Sequence, residues 1–111
     1  MSERRFRVEV AEVAARDLEE IAAYIAVDSP TNAGTVLDRL LRRIESLEVA
    51  PLRGAVIAEL AQLGIRTWRE LPARPYRIFY RVFGRRVIVV AVLDGRRDLA
   101  DVLLDRLVRE P

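Results

Sequence analysis

The alternation of hydrophobic and charged positions changes its period along the chain, and each change predicts a new element. Residues 6–10 alternate between apolar and charged side chains, which predicts a short first strand with one buried face. From about Ala11 the apolar residues recur at every third or fourth position as far as Ile25, which is the spacing of an amphipathic helix. Asp28-Ser29-Pro30 ends this helix, because Ser29 is suited to cap a second helix and Pro30 to lie in its first turn.

A second helix is predicted by an apolar seam with charged residues on its outer side. The seam consists of Ala33, Leu37, Leu40, Ile44 and Leu47. Pro51 and Gly54 end the helix, and the short break between the two helices favours an antiparallel helical hairpin. Residues 55–65 are ambiguous, since their pattern fits a brief strand as well as a helical turn, and Gly64 ends either one.

The C-terminal half has the pattern of an antiparallel meander. Residues 67–71 are a predicted strand, residues 72–75 a loop, and residues 76–83 a strand with two different faces. One face carries Tyr76, Ile78, Tyr80 and Val82, and the other carries Arg77, Phe79, Arg81 and Phe83. Gly84-Arg85 predicts a tight hairpin. Residues 86–93 are apolar at nearly every position, which predicts a central strand covered on both sides.

The order of these elements predicts the fold class. Residues 99–108 have the spacing of a short amphipathic helix, with Asp98 at its cap. We therefore expect a two-layer α+β fold in which an N-terminal strand and helical hairpin pack on an antiparallel sheet (β-α-α-β-β-β), followed by a short C-terminal helix. At 111 residues the chain, residues 1–111, is expected to form a single domain. An Asp in place of Val90, in the central strand, is expected to prevent folding.

The composition excludes several kinds of chemistry but does not identify a function. The chain has no cysteine and no histidine, so it lacks thiolate chemistry, the commonest general base and the commonest zinc ligand. No apolar run approaches the length of a membrane span, and no leader segment is recognisable. We expect a cytoplasmic protein without metal or other cofactor, without a small-molecule substrate and without membrane association.

The positive charge is carried entirely by arginine, with 19 basic residues and a net charge of only +2. A GC-rich genome is the simplest explanation of the missing lysine. Arginine stays charged at any usable pH and can bind phosphates or carboxylates in a forked geometry, but it is a poor proton shuttle. The low net charge argues against a general nucleic-acid coat, although a local basic patch remains open.

Two segments carry a resemblance to a known family. The first runs from Asp17-Leu18 through Tyr24-Ile25-Ala26 to Ser29-Pro30 and Ala33, and the second from Arg69-Glu70-Leu71 to Asp94-Gly95-Arg96-Arg97-Asp98. In this order and at these element lengths the chain resembles the RelE/ParE superfamily of toxins from bacterial type II toxin–antitoxin systems. It is closer to the ParE, or plasmid stabilisation, branch. The resemblance implies a cognate antitoxin as partner and, as target, either DNA gyrase or mRNA on the ribosome.

The resemblance also implies where a nuclease site would lie. RelE-type toxins cut mRNA by attack of a 2′-hydroxyl on the adjacent phosphate, which needs a base, a proton donor and cations. On the register of this chain the two arginines of that site fall on Arg77 and Arg97. The two lysine positions fall on Trp68 and Glu70, and the tyrosine position falls on Leu103. The charge-stabilising half of the site is therefore present and the proton-transfer half is not.

Three substitutes for the missing groups are open at this point. Glu70 could act as a base, although it would place negative charge where the phosphate approaches. Glu59 lies in the ambiguous segment and cannot be positioned. Tyr76 and Tyr80 are on the face opposite Arg77, where a role in the core is favoured. If the protein is a nuclease, its catalytic candidates are Arg77, Arg97 and Glu70.

The candidates for target binding each have a structural alternative. They are Arg77, Arg81, Arg96, Arg97 and Trp68. Arg96 or Arg97 could instead pair with Asp17 or Glu20, and the two strand arginines could be the solvated side of a half-buried strand. Trp68 is more often a core or partner-contacting aromatic than a platform for stacking bases.

The sequence thus favours a ParE-like toxin that inhibits DNA gyrase by binding it and is neutralised by a cognate antitoxin. The alternative is a RelE-like, ribosome-dependent mRNA endonuclease. A third possibility is a degenerate member that binds an antitoxin and helps to repress its operon without toxicity. The sequence does not identify the antitoxin or the stoichiometry of the complex.

Overall fold

A computed structural model describes residues 5–109, which form one mixed β-sheet with helices on both faces. The strands are β1 (Arg7–Val10), β2 (Ala55–Val56), β3 (Arg69–Ala73), β4 (Tyr76–Phe83) and β5 (Arg86–Asp94), and the helices are α1 (Glu12–Ala26), α2 (Pro30–Glu45), α3 (Ala58–Ala61) and α4 (Ala100–Leu103). The predicted domain of residues 1–111 includes residues 1–4 and 110–111, which lie outside the described residues. Among residues 5–109 there is no helix with both the length and the apolar character needed to span a bilayer.

The strand order β1-β5-β4-β3-β2 confirms the predicted α+β class. Strands β3, β4 and β5 form the expected antiparallel meander. The first strand joins the sheet at its edge, where Val8 pairs with Val87 in a parallel arrangement. Parallel strands need a long connection between them. Here the helical hairpin and strands β2–β4 lie between β1 and β5 in the chain and provide it.

The helical hairpin forms as its sequence pattern predicts. The Oγ of Ser29 accepts a hydrogen bond from the backbone N–H of Asn32 at 3.1 Å, and Pro30 is the first helical residue. The helix α2 ends at Glu45 and is followed by two short 3₁₀ turns, Ser46–Glu48 and Pro51–Arg53. These turns carry the chain from the helical layer to the far edge of the sheet.

The ambiguous segment contains both of the structures its pattern allowed. Ala55–Val56 is a short strand paired with β3, and Ala58–Ala61 is a single helical turn. Gly64 has a φ of 80°, a left-handed conformation that glycine adopts without strain, and it ends the segment.

The third strand lies two residues later than predicted, because Pro72 and Ala73 belong to it rather than to a loop. A proline is tolerated in this strand because β2 pairs only with Arg69 and Glu70. Pro72 therefore lies at an open edge of the sheet, where no partner strand needs its missing N–H.

The hairpin between β4 and β5 turns at Gly84-Arg85 as predicted, and Gly84 has a φ of 55°. The register then passes from Phe79–Ala91 to Tyr80–Val89, which leaves Val90 as the extra residue of a β-bulge. Val90 is only partly buried and packs on the same side of the sheet as Ala91. The expectation that Asp at this position prevents folding therefore rested on the wrong residue, since Val89 is the fully buried neighbour.

The sheet separates two hydrophobic clusters. The inner core lies between the helical hairpin and the sheet, and its largest members include Leu18, Leu40, Ile44, Leu47, Ile78, Tyr80 and Val89. The outer core lies on the opposite face, where α3, α4 and the π-helical continuation Leu104–Arg109 cover it. It consists of Ile57, Leu60, Phe79, Ala91, Leu99, Leu103 and Leu107. The central strand β5 is therefore covered on both sides, as predicted.

Candidate functional site

The outer face of β4 brings most of the candidate residues together. Because successive side chains of a strand point to opposite faces, Arg77 and Arg81 share the outer face with two phenylalanines, Phe79 and Phe83. Phe79 is fully buried in the outer core, whereas Phe83 at the end of the strand is 40% exposed. The two arginines thus lie on either side of a buried aromatic ring, at the boundary between the core and the solvent.

Arg77 is bound by two carboxylates from different elements. Its Nε and one Nη2 hydrogen donate to Glu70 on β3, at 2.8 and 2.7 Å. Its Nη1 and the other Nη2 hydrogen donate to Glu59 on α3, both at 2.8 Å. Since a guanidinium has five N–H donors, these four bonds leave Arg77 with one. We call Arg77, Glu59 and Glu70 the carboxylate clamp.

Two neighbours give the clamp its shape. The guanidinium of Arg77 lies 5.0 Å from the centre of the Phe79 ring, a cation–π distance. A Cβ at Gly95 would lie 2.9 Å from Cδ of Arg77, so glycine is needed there to leave room for the arginine side chain. The side chains of Arg77, Glu59 and Glu70 are 20%, 25% and 16% exposed, so the clamp is accessible to solvent at its edge only.

The charges of the clamp stabilise one another. The hydrogen bonds from Arg77 lower the pKa of Glu59 below its usual range, despite an opposing effect of burial. The hydrogen bonds to Glu59 and Glu70 raise the pKa of Arg77 further above neutrality. A general base works best with a pKa near the operating pH, so the shift moves Glu59 away from that role. Both oxygens of Glu70, the base candidate, already accept hydrogen bonds from Arg77.

Arg81 and Trp68 form a second feature on the same face. The guanidinium of Arg81 lies 4.0 Å from the centre of the Phe83 ring and 5.4 Å from that of Trp68. These side chains line an apolar groove of about 660 Å³ between the sheet and the C-terminal segment. The groove is completed by Ala11, Val13, Val90, Val102, Asp105, Arg106 and Leu107. The bulge at Val90 helps to shape it, and we call it the outer groove.

Asp17 binds Arg106, a lining residue of the outer groove and a partner that the sequence did not suggest. Its carboxylate accepts hydrogen bonds from Arg106, at 2.6 Å, and from the backbone N–H of Val92, at 2.9 Å. The structural alternative in which Arg96 or Arg97 pairs with Asp17 is therefore wrong. Asp17 lies on the buried side of α1 between Ala14 and Leu18. A carboxylate on the buried side of a helix is almost always paired with a cation. The position of Asp17 in the sequence pattern could therefore have indicated a buried partner.

Arg96 and Arg97 line one depression beside Glu20, and Arg96 also borders a second depression. Arg96 forms an ion pair with Asp94 at 2.7 Å, and this guanidinium, together with the backbone N–H of Arg96, lowers the pKa of Asp94 to about 2. It borders a depression that also contains Arg77. Arg97 is exposed and forms no ion pair with any residue between 5 and 109. Arg97 lines the depression beside Glu20, whereas Arg77 lines the second depression. The two arginines of the implied nuclease site therefore do not line one common depression.

Of the two tyrosine alternatives, Tyr80 is confirmed as a core residue on the inner face, whereas Tyr76 is only partly buried. Tyr80 is fully buried, its hydroxyl donates to the carbonyl of Pro51, and burial raises its pKa. Tyr76 packs against the inner core and also lines the depression that contains Arg77. Leu103, the position where a RelE-type toxin has a tyrosine, is fully buried in the outer core. Within the described part of the chain, no three carboxylates are grouped so that they could hold a metal ion.

Comparisons with known proteins show the family through one family model and the fold through solved structures. A family model described as the ParE toxin of type II toxin-antitoxin system, parDE, matches residues 8–99. Among solved structures, the chain is similar to the chromosomal ParDE TA system from P. aeruginosa, with a TM-score of 0.67 and 18% identity over 83% of this chain and 98% of that one. No curated protein sequence matches the chain significantly.

Two further solved structures have the same fold. The toxin–antitoxin complex RelBE2 from Mycobacterium tuberculosis gives a TM-score of 0.58 and 20% identity over 81% of this chain and 98% of that one. A doubly substituted variant of the E. coli toxin RelE in the free state gives 0.61 and 17% identity over 96% and 99%. Both branches of the superfamily thus have this fold, and the fold by itself does not decide between their targets.

Proposed function

This chain belongs to the ParE toxin family of type II toxin–antitoxin systems, and from this membership we propose that it inhibits DNA gyrase by binding it, without chemistry of its own. Such a toxin acts in the cytoplasm and is held inactive by its cognate antitoxin. The observation that carries the choice of gyrase over mRNA is the carboxylate clamp on Arg77.

The carboxylate clamp disfavours cleavage of an RNA phosphodiester at Arg77, which is where the resemblance to the superfamily would place a nuclease site. Cleavage by a 2′-hydroxyl needs a free cation beside the phosphate and a base for the hydroxyl proton. Arg77 has four of its N–H donors on carboxylates, and the three charges of the clamp sum to about −1. A phosphate that approached Arg77 would therefore meet a net negative group with one free donor.

The outer groove offers a surface of the kind that protein partners use. Tryptophan and arginine are enriched among the residues that dominate binding energies, and here Trp68 and Arg81 stack at the mouth of an apolar groove. We assign gyrase binding first to these two residues. Arg96 and Arg97 are exposed but lie outside the outer groove, and Arg77 is largely enclosed in the clamp, so these three are secondary candidates.

The same groove suits a segment of the antitoxin. The solved relatives include a ParDE system and a RelBE2 toxin–antitoxin complex. By analogy, an antitoxin segment with apolar anchors would fill the outer groove, and its carboxylates would meet Arg81. Co-expression with an adjacent small reading frame is expected to yield a stable complex with an affinity in the nanomolar range, about 12 kcal/mol. A chain that is harmless alone and does not bind that neighbour would contradict this assignment.

The target is tested by two assays on the same purified toxin. We expect it to lower gyrase supercoiling and to increase trapped cleavage complexes, while ribosome-bound mRNA stays intact. Trp68→Ala and Arg81→Ala should each weaken gyrase inhibition by about tenfold, the effect of losing a central interface residue. Arg42→Ala is the matched control, because Arg42 is exposed on α2 at the other side of the molecule and should leave inhibition unchanged.

Other outcomes point to the alternatives. Cleavage of mRNA at the ribosomal A site, with gyrase unaffected, would identify a RelE-like endonuclease that uses Arg77, Arg97 and Glu70. Glu70→Gln should then remove most of the roughly hundredfold contribution of a general base. A stable antitoxin complex with neither activity would identify a degenerate member.

A further inference from the structure

Beside the clamp lies an open depression of about 590 Å³ whose charges are balanced. Arg74, Arg77 and Arg96 line it together with Glu70. Arg96 is paired with Asp94, and Arg77 is shared by Glu70 and Glu59. Together with the carboxylates bound to them, Glu59, Glu70 and Asp94, the three arginines carry a net charge of about zero.

Loss of Glu59 alone would change this balance and free the donors of Arg77. Glu59 occupies one hydrogen of Nη1 and one of Nη2, while Glu70 occupies Nε and the other hydrogen of Nη2. Without Glu59, Arg77 would have three free N–H groups on its two terminal nitrogens. Such a fork matches two oxygens of one phosphate. The groups around the depression would then carry a net charge of about +1.

We infer that Glu59 is a specificity-determining residue of this surface: by binding Arg77 it keeps the phosphodiester backbone of RNA out of the depression. Arg77 has the forked donors that can bind a phosphate, and the carboxylate of Glu59, from another element, occupies two of them. This inference does not depend on gyrase as the target, because it concerns only the ligand that the surface excludes.

A purely structural role for Glu59 is the competing explanation, and the geometry separates the two. Glu70 already holds Arg77 within the sheet, since both residues lie on the adjacent strands β3 and β4. Glu59 comes from the short helix α3, outside the sheet ladder, and its side chain is 25% exposed. If it served stability alone, its loss would lower the melting temperature and leave RNA binding unchanged.

The test uses the full chain and a fluorescein-labelled single-stranded polyuridine of 12 nucleotides, with affinity measured by fluorescence anisotropy. Glu59→Gln is expected to bind this RNA about tenfold more tightly than the unmodified chain. Its plot of log K against log salt should be steeper by about 0.7, the contribution of one additional phosphate contact on a single strand. Glu59→Ala, which also removes the remaining acceptor, should bind at least as tightly.

Two further variants separate a local effect from a change in net charge. Glu12→Gln alters the net charge by the same amount at an exposed position in the first turn of α1, and it should change RNA affinity by less than about twofold. Arg77→Ala, added to Glu59→Gln, should remove the gain.

An equal gain in Glu12→Gln, a gain that survives loss of Arg77, or no gain in a folded Glu59 variant would each overturn the inference. If neither Glu59→Gln nor Glu59→Ala folds, Glu59 is required for the fold and the inference is wrong. A failure in the gyrase assay would leave this RNA measurement unaffected, so the two proposals fail separately.

Discussion

The inner and outer faces of the sheet are covered by unequal amounts of helix, and the difference shows in how their polar groups are used. On the inner face, α1 and α2 lie across β4 and β5, and Ile78 and Tyr80 are fully buried. On the outer face, short helical segments cover only the middle of the sheet. Arg77 and Arg81 therefore remain near solvent at both ends of the covered region.

This contrast explains why the carboxylate clamp and the outer groove both lie on the outer face of the sheet. A face that is fully covered by long helices can contribute little to recognition, whereas a partly covered face leaves grooves and charged edges beside a packed core. The outer face owes its two features, the clamp and the outer groove, to that incomplete cover.

An Asp at Val89, on the inner face, or at Val90, the bulge residue on the outer face, should give the largest difference in stability between the two faces. Val89 is fully buried in the inner core, and Val89→Asp should prevent folding, with a cost of more than about 4 kcal/mol. Val90, the bulge residue, borders the outer groove, and Val90→Asp should cost only about 1 to 2 kcal/mol. Circular dichroism and thermal denaturation measure both. Equal loss in the two variants would show that the outer face is as closed as the inner one.

The pair of Arg106 and Asp17 should be the strongest single attachment of the C-terminal segment. Arg106→Met keeps the apolar stem but leaves a buried carboxylate without its cation, so we expect a loss of about 3 kcal/mol in the free energy of unfolding. Arg109→Met is the matched control, because the pair of Arg109 with Asp105 is exposed and should contribute less than about 0.5 kcal/mol. Chemical denaturation measures both, and similar losses would contradict the assignment.

The clamp should make the stability of the protein depend on pH. Because Arg77 lowers the pKa of Glu59 in the folded state, that part of the stability is present above the unfolded pKa, about 4.3, and is lost as the pH falls through the lower, folded pKa. Arg77→Met should therefore destabilise the protein by about 2 kcal/mol at pH 7 and by less in acid. Arg16→Met, which breaks an exposed pair with Glu12, is the control. A loss that is equal at pH 7 and pH 3 would exclude this linkage.

The smallest effect on stability is expected from removal of the cation beside Asp94. Its pKa of about 2 depends mainly on the guanidinium of Arg96, at a site that is largely exposed. Arg96→Met should raise the pKa of Asp94 towards 3.8, its ordinary value, with little change in melting temperature. Titration of the carboxyl carbon by NMR measures the shift. A pKa that stays near 2 would mean that the backbone N–H of Arg96 is the main cause.

The elements that the sequence predicted well are those with a local signal. The cap at Ser29 and the turn at Gly84-Arg85 depend on residues within a few positions of one another, and both are confirmed. The alternation in β4 correctly assigned its two faces, because one face is apolar and the other carries arginine. Pro72 was wrongly predicted to lie in a loop. A proline fits in β3 because β2 is too short to pair with it, and the length of β2 depends on residues far from Pro72 in the sequence.

The parts of the candidate site that the sequence did not predict depend on contacts between distant residues. Glu59 and Arg77 are 18 positions apart and belong to different elements, so nothing local joins them. Arg106 and Asp17 are 89 positions apart. The bulge at Val90 leaves no trace in a strand that is apolar at almost every position, because a change of period cannot be seen where the pattern is uniform.

The open end of β3 has a consequence for how copies of the protein meet one another. An unpaired strand can recruit a strand from a second molecule, which is a common route to aggregation. Pro72 has no N–H to offer such a strand, and its carbonyl accepts a hydrogen bond from Nε of Arg43 at 3.0 Å. Arg39 likewise donates to the carbonyl of Arg74 at 3.0 Å. Pro72 and Arg43 thus remove hydrogen-bonding groups from this edge, and Arg39 occupies a carbonyl of the adjoining turn, which protects the folded chain against edge-to-edge association.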